Sequence, residues 1–297
     1  TTFLALTREK SKNIPIAIYF HENQISYPWS KKDRDIINKR DNHYGFINYA
    51  SALSASKIFF NSHFHLKTFL DDLAPFLKNF PDNNELNTIV KIKNKSDVLH
   101  VGLDFSKFKY KSIQKSTKPT ILWNHRWEYD KNPELFFNTL KKIKNNGLVF
   151  NLIVIGESFG NTPKIFKKAK TEFEKQIIKW GYQKSFDEYV NCLFQSDIIP
   201  VTSNHDFFGI SVMEAVFCNV WPILPNRLSY KELFKEEGYI DNIYYNENEF
   251  KNKIEDAIIN HEKLKKTSLK EIPEKYDWNN IVKKYDSELK KLLNEKV

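Results

Sequence analysis

The sequence predicts an α/β protein built on parallel sheets. Short apolar runs of strand length alternate with longer stretches of helical periodicity, the pattern of strands joined by crossover helices. Polar clusters follow several of the runs, at strand ends where open α/β sheets bind ligands. At 297 residues the chain exceeds one ordinary core, so two domains are expected.

Residues Thr1 to Lys10 are mixed and helical in character. Ile14–Phe20, entered through Pro15, reads as a buried strand, and His43–Ser56 as a helix. Lys57–Asn61 is the next strand, with Ser62 as cap of a helix running to about Asn79. Asp97–Val101 is the third. Residues 103–117 lack apolar periodicity and read as a linker.

A second series follows. Strand Thr120–Asn124 leads to a helix near Pro133, a residue suited to the first helical turn. Strand Val149–Ile155 ends at Gly156, and a lysine-rich amphipathic helix spans 163–175. Strand Ile177–Trp180, helix Ser185–Phe194, strand Asp197–Val201, a helix from Gly209 to Cys218 and strand Val220–Leu224 complete it. Tyr276–Leu293 is an amphipathic terminal helix. The first half shows three strands where a doubly wound domain has about five or six. The opening strands and the first Gly-rich turn are therefore expected to lie upstream of Thr1.

Hydrophobic residues make up 41% and aromatics 15%, ample material for packed cores. No apolar run approaches membrane-spanning length, and the first residues are no signal peptide. Two cysteines, Cys192 and Cys218, are too few for a disulfide framework and point to a reducing, cytoplasmic setting. The net charge of +9 suits an anionic partner such as RNA or an acidic membrane, but a lysine-rich composition alone makes the same surface. His63 and His65 alternate like metal ligands without a companion set, so no metal site is expected.

Three segments carry chemistry. In His205-Asp206-Phe207-Phe208-Gly209-Ile210-Ser211-Val212-Met213-Glu214 a strand gives way to a helix, whose exposed N–H groups suit phosphate. Gly209 allows close approach, Glu214 is placed for ribose hydroxyls, and Asp206 for sugar hydroxyls. In Trp123-Asn124-His125-Arg126-Trp127-Glu128-Tyr129-Asp130-Lys131, Arg126 offers a planar fork for phosphate oxygens and Lys131 a point charge. Ion pairs with Glu128 or Asp130 are the plainer reading. His21-Glu22-Asn23-Gln24 follows the first strand; His21 is placed for donor sugar or acceptor, unless it is simply a core histidine.

Asp206 and Glu214, with seven residues between them, resemble the E-x7-E signature of the family-four retaining glycosyltransferases of GT-B fold. Arg126, Lys131, His21 and Gly209-Ile210-Ser211 match that family's phosphate, sugar and diphosphate positions. Asp206 is a methylene shorter than the usual glutamate, and Asn219 stands where many members have Gly after the helix, asparagine being a residue that tolerates the left-handed cap conformation. Longer strings resemble the tRNA-queuosine mannosyltransferase group: Phe20-His21-Glu22-Asn23-Gln24, Tyr27-Pro28-Trp29, Trp123 to Glu128, His205 to Gly209, and Pro225-Asn226-Arg227-Leu228-Ser229-Tyr230.

The resemblance implies two Rossmann-like domains facing a cleft, the first incomplete: 1–112 on the acceptor side, 113–275 for the nucleotide sugar, and 276–297 a helix crossing back. It implies catalytic roles for His21, Arg126, Lys131, Asp206 and Glu214. Donor contacts fall to Phe208, Gly209, Ile210 and Ser211, with Gly181 and Tyr182 near the base by fold position. Acceptor contacts fall to Glu22, Asn23, Gln24, Tyr27, Trp29, Asn226 and Arg227. Tyr27, Trp29 and Trp127 are candidates to stack on an extruded base, against ordinary packing. The donor implied is GDP-mannose, used without a metal or other cofactor, and the acceptor queuosine in a tRNA anticodon. A lipid or glycan acceptor, and a non-catalytic sugar-nucleotide or RNA-binding protein, are the alternatives.

Overall fold

The structure is a computed structural model and describes residues 6–28, 41–109, 116–158 and 162–294. It divides into two compact units: residues 1–102 with 281–297, and residues 103–280.

In the first unit, helix α1 (Arg8–Ser11) precedes strand β1 (Ala17–Phe20). Helix α2 (Asp41–Ser54) leads to β2 (Lys57–Phe60), α3 (His63–Lys78) and α4 (Thr88–Asn94) to β3 (Ser96–Val98). The three strands are parallel in the order β1-β2-β3, with Ile18 beside Ile58 and Phe60 beside Val98. β1 starts later than Ile14 because Pro15 has no N–H to give the ladder, and Ile14 is left exposed. Ser62 caps α3 as expected, its Oγ accepting the His65 N–H at 3.0 Å. Phe20, Ile58, Phe60, Phe69 and Leu73 form the core.

Among the described residues the second unit holds six parallel strands: β4 (Thr120–Trp123), β5 (Asn151–Ile155), β6 (Ile177–Gly181), β7 (Ile198–Pro200), β8 (Trp221–Pro225) and β9 (Ile243–Tyr244). Their order is β6-β5-β4-β7-β8-β9. From β4 the chain builds outward first to β5 and β6, then returns to β7 on the other side. The boundary between β4 and β7 is the topological switch point, where open α/β sheets take their ligands. Helices α5 (Pro133–Asn145), α6 (Lys164–Glu172), α7 (Phe186–Gln195) and α8 (Ile210–Phe217) connect successive strands from β4 to β8, and α9 (Glu247–Ile259) and the short α10 (His261–Leu264) and α11 (Glu271–Glu274) follow β9.

Two expectations are corrected here. Residues 103–109 are no linker: Leu103 bonds the Tyr276 carbonyl and the Trp278 N–H, and Phe105 stacks on Phe217 at 4.0 Å. Aromatic contacts distant in sequence order this stretch, so local periodicity does not reveal it. Trp127 is buried, stacked on Phe166 at 4.5 Å within the core of Trp123, Phe137 and Val154, which rules out its stacking on a base in this conformation. β9 was not expected; two residues are too short for a pattern.

Helix α12 (Trp278–Asn294) belongs to the first unit from Ile281 onward. Its Tyr285 hydroxyl donates to the His100 carbonyl at 2.8 Å, and the Tyr285 ring stacks on Tyr19. Among the described residues no helix is long and apolar enough to cross a membrane.

Candidate functional site

The loops after β4 and β7 meet at the switch point and are cross-linked. The Lys131 ammonium donates to the His205 carbonyl at 2.6 Å, the Thr202 hydroxyl to the Lys131 carbonyl at 2.7 Å, and the Asn204 N–H to the Asp130 carbonyl at 2.7 Å. Lys131 is buried between two carboxylates, 3.1 Å from Asp130 and 3.3 Å from Asp206. Burial works against its charge, but Asp206 and Asp130 outweigh it and raise its pKa. Asp206 is the reciprocal case: burial would raise it, and Lys131, with the Tyr230 hydroxyl donating at 2.8 Å, holds it below the usual carboxylate range. Both stay ionised at neutral pH.

Arg126 differs. Its guanidinium is about half exposed, with Glu128 at 3.4 Å. The salt-bridge reading therefore holds for both cations, loosely for Arg126 and tightly for Lys131.

Helix α8 opens at Gly209 in the left-handed region, φ 79°. A Cβ there would also stand 2.7 Å from the Tyr230 ring, so both backbone and packing require glycine. The first turn of α8 carries no acidic side chain, which leaves its positive end uncompensated from within the helix. Ile210 is exposed, while the Phe208 side chain is interior against Tyr276, so only its backbone is left to serve a ligand. The Ser211 hydroxyl lies 3.2 Å from His125 Nδ1. Burial pushes the His125 imidazole down to about 4, and His205 likewise. Gly156, at the end of β5, packs under this loop; a Cβ there would be 2.1 Å from the His125 carbonyl.

Glu214, on α8, accepts the Tyr189 hydroxyl at 2.5 Å. Burial raises its pKa and this hydrogen bond opposes the rise. Beside it a cavity of about 330 Å³ is lined by Gly156, Glu157, Tyr182, Gln183, Phe186 and Tyr189, with Tyr182 largely exposed and Gly181 at φ 100°.

Other expected positions are used differently. Asn23 is buried, and its amide oxygen takes the N–H groups of Ile25 and Ser26, both at 2.9 Å. It shapes the turn after β1 and is withdrawn from acceptor contact. Arg227 directs its guanidinium to the Ser203 and Thr202 carbonyls and Asn204 Oδ1, bracing the loop after β7. Asn226 bonds Tyr244 through its N–H and Lys235 through its side chain. In the first unit His21 and Glu22 are exposed at the end of β1, Gln24 bonds Asn48 through its N–H, and Tyr27 is half-buried. Trp29 lies outside the described residues. Tyr189, Tyr230 and the His125 side chain were not expected at the site. The last two lie within Pro225 to Tyr230 and Trp123 to Glu128, whereas Tyr189 has no signal beyond a helical pattern.

Residues 104–271 match the family described as glycosyl transferases group 1. The chain belongs to that family. Its residues 1–103 match the tRNA-queuosine alpha-mannosyltransferase N-terminal family. A tRNA-queuosine alpha-mannosyltransferase of Drosophila melanogaster is 33% identical over 230 residues, 74% of this chain and 59% of that protein. A probable sucrose-phosphate synthase of Thermosipho melanesiensis is 26% identical over 216 residues, 69% of this chain and 50% of that protein. The chain thus spans between half and three fifths of the length of these relatives. Among solved structures, HepE of Anabaena with UDP-glucose superposes with TM-score 0.64 at 14% identity, covering 98% of this chain and 76% of that one. Sucrose-phosphate synthase from Thermosynechococcus elongatus gives 0.68 at 12%, covering 98% and 71%. At these identities the likeness is one of fold, and the fold of this glycosyltransferase-family chain is GT-B.

Proposed function

We propose that this chain transfers mannose from GDP-mannose, with retention of configuration, to the cyclopentenediol of queuosine in a tRNA anticodon. One observation carries the glycosyl-transfer reading: Arg126, Lys131, Asp206, the α8 start at Gly209 and Glu214 gather at the C-terminal edge of one parallel sheet, beside a cavity. The choice of mannose and queuosine is supported by the match of residues 1–103 and by the Drosophila relative.

In this reading Glu214 accepts the ribose hydroxyls and Asp206 meets the mannose. The acceptor oxygen bonds to the anomeric carbon on the face the leaving group departs from, the bond from that carbon to the β-phosphate oxygen breaks, and that oxygen takes the acceptor's proton. No protein nucleophile is needed. Arg126, Lys131 and the α8 N–H groups stabilise the charge that builds on the departing diphosphate. Lys131 is already balanced by two carboxylates, so Arg126 supplies the larger net positive field. Metal is not required, because these cations do its work.

The test is turnover with GDP-mannose and queuosine-containing tRNA, read as a one-hexose mass gain on the anticodon nucleoside. Transfer is expected there and not on tRNA lacking queuosine. Binding of UDP-sugars alone would remove the mannose assignment, and transfer to a lipid or glycan would remove the tRNA acceptor.

A further inference from the structure

We infer that Tyr189 is a positioning residue for the ribose-binding carboxylate, holding Glu214 in the orientation from which it receives the ribose hydroxyls. The inference rests on the donor reading above. Its hydroxyl reaches across from α7 to α8 and donates to Glu214 Oε2 at 2.5 Å. Asn124, at the end of β4, donates to the Ser211 carbonyl at 2.7 Å and lies 3.5 Å from the Tyr189 oxygen. Two helices and the central strand are thus tied at one point. Among the described residues no other side chain hydrogen-bonds Glu214. One hydroxyl proton occupies one lone pair, so Glu214 Oε1 is left for a ligand. The Tyr189 ring also forms part of the cavity wall, 6.1 Å from Phe186, so one residue touches both the cavity and the carboxylate.

The electrostatics agree. Burial and the Glu214 carboxylate push the Tyr189 hydroxyl well above its ordinary pKa, so it remains a donor throughout the accessible range. Burial raises Glu214, and the Tyr189 hydrogen bond pulls it back. The other groups facing the pair are the Asn124 amide from β4 and the Cys218 thiol farther along the chain from Glu214. A protonated Glu214 cannot accept two ribose hydroxyls. Donor affinity therefore falls as pH drops through the Glu214 pKa, and loss of the tyrosine hydroxyl moves that fall to higher pH.

The experiment is binding of GDP-mannose, a diphosphate diester with no proton to lose in this range, from pH 4.5 to 8.5. Tyr189→Phe keeps the ring and is expected to fold, as checked by its melting temperature. It should bind within about threefold of wild type at pH 8.5, and its binding should weaken at higher pH than that of wild type as the pH is lowered, the gap between the two widening to about tenfold. A variant profile parallel to wild type would overturn the positioning role, because a merely structural loss weakens binding equally at every pH. Glu214→Ala separates the two claims. If it binds GDP-mannose like wild type, or if wild type binds none, the donor reading fails and the inference with it. If Glu214→Ala loses binding while Tyr189→Phe keeps the wild-type profile, only the inference fails.

Discussion

Arg126 and Lys131 are cations of one loop held in opposite ways. Lys131 is enclosed with Asp130 and Asp206, so Lys131→Met strands the buried Asp130 and the partly buried Asp206 and is expected to cost about 3–5 kcal/mol of stability. Arg126 is half exposed with one loose partner, so Arg126→Ala should leave the melting temperature nearly unchanged while transfer falls about 10²–10³-fold. Parallel melts and turnover assays check the contrast; equal melting losses would contradict it. The types and spacing of these side chains were legible in the sequence, because a strand end with an arginine is unusual in a chain with five. Their burial was not, since it depends on β7 lying beside β4. Asn23 and Arg227 show the same limit: each has the chemistry of a ligand contact and is directed to backbone groups instead.

At the scale of the element, the start of α8 depends on one residue. Gly209 has a positive φ and almost touches Tyr230, so Gly209→Ala is expected to cost about 1–3 kcal/mol and to weaken GDP-mannose binding as the helix start shifts. A melt alongside binding measures it, and an unchanged melting temperature would count against the strained start. The strands of the second unit were legible because buried parallel strands are continuous apolar runs. Where their ends differ from the expected ones, they do so by one or two residues. Asn219 adopts the left-handed conformation its residue type allowed, φ 64°. β9 and the π-helical turn at Lys231–Lys235 were not legible, because short elements are fixed by neighbours rather than by periodicity.

For the molecule as a whole, one source of acid sensitivity is confined to one of the two units. In the second, His125 and His205 are pushed down to about 4, whereas an unfolded histidine titrates near ~6.5. Between these values the unfolded chain binds more protons than the folded one. Their contribution is therefore complete above ~6.5 and is lost as pH falls toward 4. Urea melts should show the second unit losing on the order of 2 kcal/mol per histidine between pH 7 and pH 5, with a shallower loss in His125→Asn. A pH-independent midpoint would contradict the burial of these rings as neutral groups. The division into units was legible from length and from the second series of strands. Its boundary at Leu103 was not, because that residue is held by backbone bonds to Tyr276 and Trp278 far along the chain.

The cross-links between the β4 and β7 loops bear on the chemistry in another way. The carbonyls of Asp130, Lys131 and His205 are committed to partners before any ligand arrives. The dipoles around the proposed diphosphate position are thus set when the chain folds. As charge moves from the anomeric carbon to the leaving phosphate, water would have to turn to follow it, but these groups already stand in place. For the proposed transfer this lowers the reorganisation energy, and the rigidity of that wall, rather than a movement of it, is what such a reaction would use.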